Sequence, residues 1–447
     1  MRFASIFALV SLVASTAMAA PMCGLVSPND ASSSSPGQNS NSSNAACDVV
    51  ASAWLPGWLS NFNLDSIPWN KYTHLTYSFA VTTNGPEMIS LDKVDKNLLT
   101  QFVNRAKKEN VLALVSVGGW TGSRYFSVHV QPDHQDGFVK ALVNMASQYK
   151  LDGIDFDWEY PNKQGMGCNV ISSDDSKNYL SFLQKLRQDP VGSKLVLTAA
   201  VGIAPFVGPD GSPMSDVSGF SKYLDHISIM EYDVFGSWSQ TVGPNAPLDD
   251  SCAPQPQGSA TSAVKAWTSA GFPANKVSKR CTQIALGVAA YGHSFHVDRN
   301  VALNAAGSLL TTVPFDKSQQ PAGEGETPGT TSKPTDECGN TSGPSGIFNF
   351  GGMINAGYLQ MSGNGTVTPA NGMVQTFDTC SQTPFVYNPN TQVMISYDDT
   401  RSFAAKGQFI NNKGLAGFAM WHAAGDTSQH TLISAISDAM GIEQVCN

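Results

Sequence analysis

Positive charge is scarce in this chain. Lys and Arg number 26 against 35 Asp and Glu, the net formal charge is −9, and charged residues make up only 14% of the 447 positions. Phosphate recognition needs clustered Lys and Arg, so nucleic acid is excluded as a partner. Long apolar runs are also missing. Beyond the amino-terminal segment, no stretch approaches the about 20 continuous apolar residues that span a bilayer, so no membrane partner is expected. Metal-ligand spacing is absent as well: none of the eight cysteines forms a C-x-x-C, and the eight His are scattered. Neither a metal nor a cofactor is expected. What remains is a neutral partner, recognised by aromatic stacking and hydrogen bonds rather than by charge.

The first residues combine a basic Arg2, an apolar stretch from Ile6 to Val13, and Ala17-Met18-Ala19. This is the pattern of a signal peptide over 1–20, cleaved after Ala19 or Ala20, and it implies a secreted protein. Residues 21–46 read as a spacer, because Ala31–Ala46 is a polar, low-complexity Ser/Asn run without an apolar period. The cysteines at 23, 47, 168, 252, 281, 338, 380 and 446 suit an oxidising compartment and structural disulfides, whose connectivity the sequence does not define. Sequons at Asn41, Asn340 and Asn364 fall in segments that read as exposed.

From Cys47 onward, apolar runs recur at Val49–Leu55, Leu75–Val81, Val111–Val117, Leu151–Phe156, Leu195–Val201, His226–Met230, Ile284–Ala290 and Leu415–Met420. Helix-length segments such as Leu98–Glu109, Gln135–Tyr149 and Tyr179–Gln188 lie between most of them. Eight strands with helical crossovers predict a (β/α)8 barrel over 47–293 and 394–447. The interval 294–393 is too long for one crossover. Its helix-like Phe348–Leu359, strand-like Thr383–Asn388 and two cysteines predict a small α+β insertion.

Asp152–Tyr160 reads DGIDFDWEY. In a strand, Asp155, Asp157 and Glu159 share one face, while Ile154, Phe156 and Trp158 share the other. A calcium loop of the EF-hand type needs a glycine at its sixth position and polar spacing, not Phe and Trp between the acids. A solvated edge strand has no use for the large apolar face. Three like charges held this close raise one another's pKa, which suits acid/base chemistry.

DGIDFDWE fits the D-x-x-D-x-D-x-E signature of family-18 glycoside hydrolases, the chitinase family, and four further segments resemble that family in order. They are His74–Ala80 (HLTYSFA), Ser116–Trp120 (SVGGW), Met230–Asp233 (MEYD) and Leu415–Trp421 (LAGFAMW). The resemblance spans roughly residues 48 to 440 and implies a chitinase acting on β-1,4-linked N-acetylglucosamine chains, expected to work as a monomer. Most glycosidases place two carboxyls on opposite sides of the bond, about 5–5.5 Å or about 6.5–9.5 Å apart. Here the acids lie along one strand. The family resolves this by letting the substrate's 2-acetamido group attack the anomeric carbon.

The resemblance makes Glu159 the acid/base, Asp157 the partner of the acetamide, Asp155 a proton-sharing neighbour of Asp157, and Tyr232 the ligand of the acetamide oxygen. It makes Trp421 the floor of the cleaved sugar's site, with Trp120, Asp233, Met230 and Tyr291 as further substrate contacts, while Trp54, Trp58 and Trp238 read as groove walls. Trp158 is expected to pack outward. Two positions depart from the family: His293 follows Tyr291-Gly292 where Arg is common, and Trp54 stands where Tyr is frequent. Two other functions share the same features, an endo-β-N-acetylglucosaminidase acting on N-glycans and a chitin-binding lectin. Lectins of this fold typically replace the acid.

Overall fold

The computed structural model describes residues 23–26, 49–274, 283–326, 335–341 and 343–446. The leader read over 1–20, the sequon at Asn41, and Cys47 and Cys281 lie outside the described residues. Eight strands form a closed ring in which every neighbour is parallel: β1 (Val50–Pro56), β2 (His74–Thr82), β3 (Leu112–Gly118), β4 (Gly153–Asp157), β5 (Val196–Val201), β6 (His226–Ile229), β7 (Ile284–Ala289) and β8 (Gly417–Trp421). β8 closes on β1 with Gly417 opposite Val50 and Met420 opposite Ala53. The (β/α)8 reading of the sequence therefore holds. Near-continuous apolar runs mark strands covered on both faces, as a parallel barrel requires.

Helices α1 (Lys96–Lys108), α2 (Gln135–Tyr149), α3 (Asp175–Gln188), α4 (Ala260–Ser269), α5 (Thr400–Lys413) and α6 (Thr431–Met440) pack outside the ring. Local sequence sets their limits. Asp95 Oδ1 accepts the backbone N–H groups of Asn97 and Leu98 at 2.8 and 3.0 Å, capping α1. Buried Leu98, Leu99, Phe102, Val103 and Ala106 then give α1 one apolar stripe at helical spacing. α5 ends where Gly414 turns left-handed, with φ 61°. The crossovers from β1 to β2 and from β5 to β6 contain short 3-10 turns rather than α-helices.

Between β7 and β8 a five-stranded antiparallel sheet forms in the order Ile347–Asn349, Tyr291–His296, Val393–Ser396, Thr383–Asn388, Val374–Asp378. Its edges lie at Tyr291 and Ser396, slightly outside the expected 294–393. Phe295, Phe385, Tyr387 and Met394 belong to a hydrophobic cluster of its own. The stretch Phe348–Leu359 is helical only over Phe350–Asn355. Gly351, Gly352 and Gly357 weaken the helix, and Phe348 instead pairs with Gly292. Cys252–Cys380 ties this region to the segment after β6, and Cys168–Cys338 ties it to the segment after β4.

Within 21–46, read as a spacer, Cys23–Val26 is a strand antiparallel to Glu443–Cys446. This corrects the spacer reading for those four residues: they precede the polar run, and Leu25 is buried against the core. Asn340 and Asn364 are exposed. Among the described residues no helix is long and apolar enough to cross a membrane.

Candidate active site

The carboxyl ends of the strands gather the motif residues at one mouth, where barrels of this kind carry their chemistry. On β4 the alternation runs as the sequence predicts: Ile154 and Phe156 are fully buried on the outer face, and Trp158 stacks on Phe126 with centroids 5.1 Å apart. Asp155 and Asp157 are also buried, but toward the barrel interior, 2% and 4% exposed. Glu159 follows at the mouth and is partly open.

The three acids have different surroundings. Asp155 is held by three donors: Trp54 Nε1–H at 3.0 Å and Ser116 Oγ–H at 2.7 Å to Oδ2, and Thr198 Oγ1–H at 2.6 Å to Oδ1. Burial raises its pKa, and these three bonds pull it back. Asp157 Oδ1 is buried with no hydrogen-bond partner among the described residues. Burial first, then the charges of Glu159 and Asp155, hold this carboxyl well above the usual carboxylate range. Glu159 is pushed up to about 8, chiefly by desolvation, with Tyr160 opposing and Asp233 adding to the rise. No hydrogen bond joins Asp155 to Asp157 among the described residues, and the three donors offset the effect of burial at Asp155 alone.

Glycines allow this close approach. A Cβ on Gly118 (φ 111°) would stand 2.1 Å from the Asp157 carbonyl oxygen, and one on Gly119 would stand 2.9 Å from the Phe79 ring. Residues without a recognisable motif complete the frame. Ser123 Oγ lies 2.9 Å from the Asp157 carbonyl oxygen, to which it donates, and accepts the Glu159 N–H at 3.0 Å. Asn169 Nδ2–H donates to the Glu159 carbonyl at 2.8 Å.

After β6, Tyr232 is nearly buried, and its hydroxyl forms no hydrogen bond among the described residues. Asp233 has φ 57°, a left-handed conformation fixed by its N–H donating to Asn245 Oδ1 at 3.0 Å. Its side chain is half exposed, with Oδ1 accepting from Tyr291 O–H at 2.6 Å and His293 Nε2 at 2.7 Å. Desolvation opposes these donors, but they prevail and keep Asp233 below its ordinary range. His293, at the position where Arg is common, is thus spent on Asp233. Trp238 stands over it, edge to face, at 5.2 Å.

Two expected substrate contacts need correction. Trp54 is only 3% exposed and is no groove wall, since its indole N–H serves Asp155. Tyr291 is buried and its hydroxyl engages Asp233, so it is placed to act on a substrate through that carboxylate. Trp120 and Trp238 are 50% and 56% exposed, and Met230 is partly buried beside Tyr232. Trp421 is partly open, stacked on Phe79 at 5.6 Å and tilted against Trp54 and Trp58 at 6.0 and 6.2 Å. Trp58, expected as a groove wall, is 47% exposed. A cleft of about 640 Å³ is lined by Trp58, Phe79, Trp120 and Trp421, and one of about 270 Å³ by Glu159, Tyr232 and Asp233. No cluster of His, Cys, Asp and Glu suited to a metal ion occurs among the described residues.

A closed parallel barrel with an acidic fourth strand and an aromatic mouth suits a glycoside hydrolase. The model of glycosyl hydrolases family 18 matches residues 52–426, and the chain belongs to that family. It is similar to a chitinase-like effector of Moniliophthora roreri, 46% identical over 88% of this chain and 94% of the relative. A chitinase-like effector of Moniliophthora perniciosa is 41% identical over 91% and 90%. The crystal structure of a chitinase from Rhizomucor miehei superposes with a TM-score of 0.74 at 33% identity, covering 87% of this chain and 99% of that one.

Proposed function

We propose that the protein is a secreted chitinase that hydrolyses β-1,4-N-acetylglucosamine linkages with retention, using the substrate's own acetamide as nucleophile. The observation that carries this reading is the contrast between Glu159, a carboxyl held protonated near neutrality at the mouth, and Asp157, a buried acid with a free oxygen behind it. In the first step Glu159 gives its proton to the glycosidic oxygen as the acetamide carbonyl oxygen bonds to C1, and the leaving chain departs. Asp157 passes its proton to the neighbouring Asp155 as positive charge builds on the cyclic oxazolinium, and the carboxylate so formed accepts the acetamide N–H and balances that charge. The free Tyr232 hydroxyl donates to the acetamide oxygen. In the second step Glu159, now ionised, takes a proton from water as that water attacks C1 and opens the ring. Two inversions at C1 give net retention.

Trp421 offers a floor for the sugar, and Trp120 and Trp238 offer flanking platforms. The leader read over 1–20 supports export. The protein is read as working as a monomer on a chitin or chitooligosaccharide chain. A second reading, chitin binding without turnover, is favoured by the description of two relatives as chitinase-like effectors. Glu159 favours turnover.

Hydrolysis of an N-acetylglucosamine hexamer across pH tests the choice. A general acid must be protonated, so kcat/KM is expected to fall as pH rises through about 8, the pKa to which Glu159 is pushed. Tight binding with no cleavage at any pH would replace this reading with the binding one.

A further inference from the structure

The larger cleft is lined in part by a turn supplied from the far side of the barrel. Residues 335–341 belong to the interval after β7, yet they are fastened to segments that follow β2, β3 and β4, and β3 lies opposite β7 in the ring. Glu337 Oε1 meets Lys93 Nζ at 3.0 Å, the Glu337 carbonyl accepts from Arg124 Nη1 at 3.2 Å, and Cys338 is disulfide-bonded to Cys168. The turn is stiffened from within: Asp336 Oδ1 accepts the N–H groups of Cys338 at 2.9 Å and Asn340 at 2.8 Å. Glu337 and Lys93 line the same cleft as Trp58, Trp120 and Trp421.

An ion pair this exposed, 66% for Lys93 and 47% for Glu337, adds little to folding. Its placement in a cleft lined by Trp58, Phe79, Trp120 and Trp421 suits a ligand with flat faces and an edge rich in hydroxyls. The ammonium uses one of its three donors on Glu337, and the carboxylate keeps acceptor capacity, so together they can satisfy sugar hydroxyls in both directions. We propose that Lys93 and Glu337 form a terminal sugar subsite, at which the disulfide-held turn stops a β-1,4-linked N-acetylglucosamine chain. The inference rests on the carbohydrate reading of the cleft, but not on turnover.

The test compares wild type with Glu337→Ala, Glu337→Gln and Lys93→Ala, each checked for an intact Cys168–Cys338 bond and an unchanged melting temperature. Both kcat/KM and calorimetric Kd are measured for oligomers from dimer to hexamer. In wild type, affinity is expected to rise with length until the oligomer reaches the pair, and then to level. Glu337→Ala and Lys93→Ala should each lose about tenfold at that length and beyond, and nothing below it, with Glu337→Gln between them and wild type. Equal losses at every length, or none at any, overturn the subsite. If oligomers bind but are not cleaved, the step is read from Kd alone, and only the turnover proposal falls. Failure to bind any oligomer overturns both.

Discussion

Glu159→Gln is expected to lower kcat on an N-acetylglucosamine hexamer by about 10²–10⁴-fold while leaving Kd near its wild-type value. The amide keeps the shape of the side chain but has no proton to give at ordinary pH, so the loss falls on chemistry rather than on binding. The same variant should be more stable than wild type, in a pH-dependent way. Glu159 is raised from 4.5 to about 8 by folding. Below pH 4.5 the carboxyl is protonated in both folded and unfolded chains and costs nothing. Between 4.5 and 8 the unfolded chain ionises while the folded one does not, so the native state loses ground progressively, and above 8 the cost is complete. The gain in melting temperature of Glu159→Gln over wild type should therefore grow from pH 5 to pH 8. Stopped-assay kinetics and thermal unfolding at the two pH values measure both parts. Turnover close to wild type would remove Glu159 from its assigned role.

Asp157→Ala is expected to reduce kcat by about 10²–10³-fold, the loss typical when a preorganised group that stabilises developing charge is removed. Asp157→Asn separates two contributions. Its amide oxygen still accepts the acetamide N–H, but it carries no charge to balance the oxazolinium. Asn should therefore recover part of the binding and little of the rate. A full recovery of kcat with Asn would mean that charge balance is unimportant and that Asp157 only orients the acetamide. Asp155 offers no substitute, because Trp54, Ser116 and Thr198 already occupy its oxygens.

The barrel was legible because its strands are buried apolar runs and its acidic strand keeps a period of two, which assigns Asp155 and Asp157 to one face from the sequence alone. The insertion sheet was legible in outline through Thr383–Asn388, while its edge at Tyr291 was hidden because Tyr291-Gly292-His293 continues directly from β7. Thr198, Ser123, Asn169 and Asn245 carry no local signal, and the SVGGW motif does not show that Ser116 serves Asp155. They come from separate strands and loops, and only closure of the ring brings them to the acids. Trp54 was misplaced for a related reason: its position at the end of β1 does not say whether an inward ring opens to the groove or lies beneath it. Its indole proves to be a donor under the mouth. His293 could be recognised as a departure, but its pairing with Asp233 depends on a left-handed turn that Asn245 holds from twelve residues away.

The central claim is that an acetamide on the substrate, rather than a second carboxylate of the protein, forms the bond to the anomeric carbon. Time-resolved proton NMR of the mature protein with the hexamer, read at the anomeric signals of the new reducing ends, tests it most directly. The account predicts that the β-anomer appears first and then relaxes to the equilibrium mixture by mutarotation. Early α-anomer would mean a single displacement by water and would contradict the mechanism.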